Sequence, residues 1–230
     1  STNSSGTAYP VSQPVVEKTG HSPKAALAWQ ASDAWLFKTS LGRALRFPTV
    51  GELYQNVQTG TSYQQANPFL KPEDVLSGEI MAEYDHASGF VRATVFDENV
   101  RNALISQTAM IQNYTTAVSF VQNVDHTRQM GAELVAEQRN VFLRGLDLSG
   151  NATYVDARIL ENSGYAPPAA IPGATSVGKQ TPYVARWRAT LVSTYRPDDR
   201  WAFTVAGRYS TRLYATVDNT DIYTHTYTGF

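Results

Sequence analysis

The chain has 230 residues, a net charge of -1 and no cysteine. The lack of cysteine excludes a disulfide framework, a thiolate metal site and a cysteine nucleophile, and the balanced charge excludes the broad basic field that binds nucleic acid. No stretch reaches the about 18 consecutive apolar residues of a transmembrane helix.

After an opening rich in Ser, Thr, Gly and Pro, which predicts a loop, apolar and polar residues alternate in one segment after another. A period of two is typical of β-strands, and no segment has a convincing helical period. The alternation predicts eight strands, over residues 22–30, 35–43, 79–85, 90–105, 127–137, 146–159, 184–196 and 201–214.

The connections between these strands differ in length in a regular way. Brief links at 31–34, 86–89, 139–145 and 197–200 alternate with longer irregular connections at 46–73, 107–116 and 160–182. Short turns on one side and long loops on the other are typical of outer-membrane barrels, whereas repeated loops beyond ~12–15 residues count against a compact soluble domain.

The strand that begins at Trp201 shows the pattern most clearly. Phe203 and Val205 lie on one face with Trp201, while Thr204 and Arg208 lie on the other. The strand exceeds the ~5–6 residues usual in soluble domains and reaches the ~9–11 needed to cross a bilayer. Aromatic residues near the strand ends would form membrane-interface girdles, but they also occur in ordinary β cores. The residue pattern alone leaves both a membrane barrel and a soluble all-β module open.

Several short motifs occur in a fixed order along the chain. They include Arg46-Phe47-Pro48-Thr49, Glu52-Leu53-Tyr54, Asn67-Pro68, Leu70-Lys71-Pro72-Glu73, Gly131-x-Glu133-Leu134, Tyr195-Arg196-Pro197 and Asp218-Asn219-Thr220-Asp221. In their order and spacing these motifs resemble those of the TonB-dependent outer-membrane receptors. The resemblance covers most of the chain, from about residue 22 to residue 230.

This resemblance implies an all-β fold, an antiparallel up-and-down transmembrane β-barrel of about 22 strands, of which the chain would hold about eight. It implies that residues 1–230 are part of the barrel domain, with the plug domain and the final strands outside this chain. The implied partners are the lipid bilayer, the protein's own plug domain, the TonB complex and a small-molecule metal chelate, and none is a nucleic acid. The implied location is the outer membrane of a Gram-negative bacterium.

The resemblance also implies a function without catalysis or a cofactor: import of a scarce ligand, most commonly an iron–siderophore chelate, with energy supplied through TonB. Two other functions remain open at this point. The same barrel signals fit a non-energised porin or channel, and alternating strands with exposed aromatics fit a soluble carbohydrate-binding module or carbohydrate-active enzyme.

Two sets of residues are candidates for the site. Tyrosines in the longer loops are placed to stack on a ligand, with loop packing as the alternative role; they are Tyr54, Tyr63, Tyr114 and Tyr165. Arginines of the polar faces are placed to contact plug carboxylates or attract an anionic chelate, with a solvated lumen wall as the alternative; they are Arg186, Arg188, Arg208 and Arg212. No metal site is predicted, because the four histidines share no ligand spacing.

Overall fold

The computed structural model describes residue 15 and residues 17–59, 62–110, 117–167, 172–220 and 222–223. In chain order its elements are β1 (Lys24–Gln30), β2 (Trp35–Arg46), α1 (Val50–Tyr54), β3 (Val57–Thr59), β4 (Ser62–Gln65), β5 (Glu73–His86), β6 (Gly89–Met110), β7 (Ala117–Gln138), β8 (Leu146–Glu161), β9 (Trp187–Asp198), β10 (Trp201–Ser210), β11 (Leu213–Tyr214) and β12 (Ile222–Tyr223). No helix in these ranges has the length and apolar character needed to cross a membrane.

Eight long strands form the main sheet, in the order β1-β2-β5-β6-β7-β8-β9-β10. Each pairs antiparallel with its neighbours, so the chain runs up and down through the sheet. Short β4 adds a parallel contact with β7, and β3 and β4 form a hairpin. The sheet confirms the prediction of an all-β, antiparallel up-and-down fold with eight main strands.

The strand register places apolar side chains on one face of the whole sheet. One row runs from Ile80 through Val95, Ala132 and Tyr154 to Trp187. Many of these side chains are exposed, with Ile80 at 61% and Val205 at 73%. A continuous exposed apolar surface of this extent is unfavourable in water, because transferring each large side chain out of water is favourable by about 1.5–3 kcal/mol of free energy. We call this the apolar face.

The opposite, polar face carries charged and hydroxyl side chains. Arg92 forms an ion pair with Glu83, and the Thr153 hydroxyl donates to the Glu133 carboxylate at 3.2 Å. Their positions alternate with those of the apolar face along each strand, as the pleat requires. The two faces therefore have opposite chemistry, as in a barrel with lipid outside and a polar lumen inside.

The short links lie together at one end of the sheet, which we call the short-turn end. In the turn before β10, the Asp198 carboxylate accepts hydrogen bonds from the backbone amides of Arg200 at 2.8 Å and Trp201 at 3.1 Å. The link after β7 closes at Gly145, whose φ of +86° is readily available only to glycine. The predicted turns at residues 31–34, 139–145 and 197–200 are confirmed.

The strands near the middle of the sheet are longer than predicted. Both β6 and β7 have 22 residues, about twice the ~9–11 that cross a bilayer. The prediction of a loop from residue 107 is wrong, because β6 continues to Met110, and β7 begins at Ala117 rather than near residue 127. The extra length extends the sheet at the opposite, long-loop end.

The prediction of an irregular connection over residues 46–73 is also wrong. The segment contains α1 and the β3–β4 hairpin, and β5 begins at Glu73. Thr49 and Glu52 form a capping box: the Glu52 amide donates to Thr49 Oγ1 at 3.2 Å, and the Thr49 amide donates to Glu52 Oε2 at 2.7 Å. Leu53 on the helix is buried against Leu70 and Val121, which fixes α1 to the outer part of β7.

Candidate ligand-binding site at the long-loop end

A small apolar core lies at the long-loop end of the sheet. It comprises Val100, Ala103, Val124, Ile159 and Val217. The alternation along β6 and β8 places Val100 and Ile159 on the polar face, yet they are 5% and 0% exposed. They are covered because Val217, from the segment after β10, packs on them. That segment therefore folds over the polar face where the sheet ends.

A hydrogen-bond network around Asp218 holds this segment in place. The Asp218 carboxylate accepts from the Tyr165 hydroxyl at 2.8 Å, from the hydroxyls of Thr216 and Thr220 at 2.7 Å each, and from the Thr220 amide at 3.1 Å. Burial alone would raise the pKa of Asp218, but these donors lower it to about 2. Burial and the Asp218 charge raise the pKa of Tyr165 to about 12.

Asn219 joins the same segment to the loop between β8 and β9. Its Oδ1 accepts from the Gln180 amide and its Nδ2 donates to the Gln180 carbonyl, both at 2.8 Å. The Tyr183 amide also donates to the Tyr214 carbonyl at 2.9 Å. The two loops are thus bound into one unit, which we call the cap: the described residues of 162–186 together with 211–220.

A second loop structure lies beside β7. Asn123 exchanges two hydrogen bonds with the backbone of Lys71, at 2.8 and 3.0 Å, and Asn67 Nδ2 donates to the Val121 carbonyl at 3.3 Å. These contacts fix a depression of about 380 Å³ between residues 65–69 and β7. Phe69 lines this depression and is 86% exposed. The volume is within the range of small-molecule sites.

The predicted tyrosines have different surroundings. Tyr54 packs beside the Leu53 cluster and Tyr63 lies on β4. Tyr165 packs against the apolar core while its hydroxyl is bound to Asp218. Tyr114 lies outside the described residues. Contact of these side chains with a ligand stays a prediction, and the structure gives Tyr165 a structural partner that the sequence did not indicate.

The predicted arginines are also not equivalent. Arg188 is opposite Thr153 and Arg208 is opposite Thr190, so the register places both on the polar face. Arg212 follows the end of β10 and is exposed. The Nη2 atom of Arg186 lies 3.6 Å from Asp156 Oδ1. Their interaction with a plug domain or an anionic ligand stays a prediction.

Phe69 and the Asp218 network were missed by sequence reasoning. Asn67-Pro68, directly before Phe69, contributed only to the family resemblance, and nothing in it showed that the Phe69 ring would be exposed. Asp218 is 53 residues from Tyr165 in the sequence, so only the fold brings them together. Within the described ranges, no group of three or more His, Asp or Glu side chains is placed to hold a metal ion.

The geometry of the sheet is sufficient to identify the structural class of the protein. An antiparallel sheet with an exposed apolar face, a polar face, short turns at one end and folded loops at the other is part of the wall of a transmembrane β-barrel. The matching family model, described as a TonB dependent receptor-like β-barrel, covers residues 1–229. The chain belongs to the TonB-dependent receptor family.

Solved structures show the same fold at low sequence identity. The copper transporter OprC matches with a TM-score of 0.63 and 16% identity, over 84% of this chain and 26% of its own. The siderophore receptor PiuA from Acinetobacter baumannii matches at 0.60 and 20%, over 86% and 27%. The ferric citrate transporter FecA matches at 0.60 and 18%, over 86% and 26%.

The chain therefore spans about a quarter of the length of these solved structures. A comparison with curated protein sequences found no match.

Proposed function

We propose that this chain forms part of the wall and of the outer mouth of an outer-membrane receptor that imports a scarce ligand, most commonly an iron–siderophore chelate, with energy supplied through TonB. The observation that carries the proposal is that the two faces of the sheet have opposite chemistry and that a folded cap covers the polar face at the long-loop end. The proposed location is the outer membrane of a Gram-negative bacterium.

Each part of the structure has a role in this proposal. The apolar face contacts lipid, and the polar face, with Arg188 and Arg208, lines the lumen and contacts the protein's own plug domain. The cap and the Phe69 depression face the outside, where a ligand arrives. Solved proteins of this fold include a copper transporter, a siderophore receptor and a ferric citrate transporter, which supports a metal chelate as the ligand class.

Uptake of radiolabelled metal chelates by living cells tests the proposal. Cells with the full-length gene, without it, and with it but lacking TonB are compared for uptake of ferric siderophores, ferric citrate and copper chelates. We expect uptake of one chelate to require both the gene and TonB.

Uptake that needs the gene but persists without TonB would instead indicate a non-energised channel. A full-length protein that remains in the aqueous fraction after cell lysis, without detergent, would contradict the membrane location itself.

A further inference from the structure

Three arginine–aspartate ion pairs lie on the same side of the sheet as the apolar face. Along the strands they come after its apolar residues, toward the long-loop end. They join Arg43 to Asp74, Arg128 to Asp97 and Arg158 to Asp156, at 2.7, 2.6 and 2.8 Å. Alternation places them on the lipid side of the wall, since Asp74 shares a face of β5 with Ile80 and Tyr84. We call Arg43, Arg101, Arg128 and Arg158 the arginine rim.

The height of the rim matches the edge of a bilayer. The rings of Trp35 and Tyr84 contact each other near the short-turn end, tilted by 41° with centroids 4.8 Å apart, as in an interface girdle. From Tyr84 to Asp74, β5 rises about 33 Å at ~3.3 Å per residue, or about 25 Å across the membrane at a tilt of ~40°. An apolar band of this height ends where headgroups begin.

A second aromatic pair, on β8 and β9, lies at the long-loop edge of the apolar face. Tyr154 and Trp187 lie with ring centroids 4.9 Å apart. Asp156 is the next residue of β8 on that face, and both Arg158 and Arg186 approach its carboxylate. The rim therefore lies next to these aromatic residues, on their long-loop side, and such residues prefer the depth of the lipid headgroups.

Positive charge is in excess along the rim. Arg43 binds Asp74 through Nε and Nη2, and Arg101 is opposite Asp74 in the register, so one carboxylate faces two guanidinium groups. The Asp156 carboxylate likewise faces two guanidinium groups, those of Arg158 and Arg186. The four rim arginines outnumber the three aspartates, which leaves one positive charge on this side of the wall. A guanidinium has five donors, so Arg43 keeps donors that Asp74 does not use.

A groove lies next to the rim, with Leu76, the neighbour of Arg43 in the register, at one end and Asp97 among the residues that line it. It has a volume of about 490 Å³, and its apolar walls come from Leu41, Leu76, Ile80 and Val95. Gly78 forms its floor, and a Cβ there would meet the Leu41 Cδ1 atom at 3.5 Å, an ordinary contact. The groove is therefore open because residue 78 has no side chain, and it would accept an added one without displacing the backbone.

We propose that the rim and the groove together bind one outer-leaflet lipid with a phosphate headgroup. An acyl chain lies in the groove over Gly78, and the phosphate accepts hydrogen bonds from Arg43 and Arg101. Arginine suits this role because its planar donors match phosphate oxygens, and basic clusters at the edge of a membrane-spanning wall recognise anionic headgroups. The site rests on the membrane location in the proposed function but not on the transported ligand.

Native mass spectrometry of the full-length protein in neutral detergent tests this site. The probes are a diphosphorylated glycolipid, lipid A, and phosphatidylcholine, which has no net charge. The double variant Arg43→Gln, Arg101→Gln is compared with a matched pair on the polar face, Arg188→Gln, Arg208→Gln. We expect the rim variant to bind lipid A at least about tenfold more weakly, and the matched pair to bind it as the parent does.

A second pair of variants tests the groove without changing charge. Gly78→Val fills the floor, while Gly207→Val adds the same side chain to the apolar face at an open position of β10. We expect Gly78→Val alone to weaken lipid A binding, also by about tenfold.

Equal binding of lipid A and phosphatidylcholine, or unchanged binding by both the rim and groove variants, would overturn the proposal. Binding of inorganic phosphate as tight as that of lipid A would also overturn it, because the acyl chain would then contribute nothing. Partitioning of the protein into membranes is measured separately. Its failure would count against the proposed function.

Discussion

Replacing Tyr165 with phenylalanine should loosen the cap without disturbing the sheet. The substitution keeps the ring that packs on the apolar core and removes only the hydroxyl that donates to Asp218 at 2.8 Å. Hydrogen bonds to charged groups contribute about 1.5–3 kcal/mol, and Asp218 is only 6% exposed, so water replaces the lost donor poorly. At about 1.4 kcal/mol per factor of ten, local opening should become about 10- to 100-fold more frequent.

Hydrogen exchange measured by mass spectrometry on the full-length protein reports this opening. Peptides from residues 211–220 should exchange faster in Tyr165→Phe, while peptides from β8 and β9 stay unchanged. Tyr209→Phe is the matched control, because Tyr209 lies on the apolar face and is 60% exposed. Equal exchange rates in the cap of Tyr165→Phe and parent would refute the role given to this hydrogen bond.

The remaining predictions concern the cap, the loops and the two faces. The pKa of Asp218 is about 2, below its ordinary 3.8, so cap protection should be complete above pH ~4 and lost as pH falls through 2, as measured by exchange. Thr49→Ala should destabilise α1 by about 1 kcal/mol, seen as faster proteolysis of residues 47–72, with unchanged proteolysis as the contrary result. Phe69→Ala should weaken chelate binding to whole cells without lowering receptor abundance, and unchanged binding would remove Phe69 from the site. Val205→Arg should cost about 2–4 kcal/mol of folding stability in bilayers, whereas Ala206→Arg on the polar face should cost far less; equal losses would contradict the face assignment.

Sequence alone predicted the part of the fold that lies in the membrane. Along β10, lipid on one side and a polar lumen on the other impose strict alternation, so Phe203 and Val205 separate from Thr204 and Arg208 in the sequence itself. Above the membrane this constraint ends. The outer half of β6 therefore carries polar residues such as Asp97 and Asn99 on the outward face. The sequence predicted a strand as far as residue 105, but not its continuation to Met110.

The helix in the loop after β2 was missed for a different reason. At five residues, α1 is too short to show a helical period, and the three-residue spacing of Thr49 and Glu52 was the one sequence signal that could have indicated it. The cap was beyond sequence reasoning because its contacts join distant segments. Tyr165 was correctly noted as a loop aromatic, but its partner Asp218 becomes a neighbour only once β8, β9 and β10 are paired.

We infer that one face of the sheet contacts lipid and that the other faces the lumen. These 230 residues contain no cysteine, so single cysteines can be placed at successive positions 203 to 208 of β10 and spin-labelled in bilayers, in a full-length protein from which any cysteine outside this chain has been removed. We expect labels at positions 203, 205 and 207 to collide with lipid-dissolved oxygen, and labels at positions 204, 206 and 208 to collide with a water-soluble nickel chelate. Equal accessibility at all six positions, or the reverse alternation, would contradict this inference.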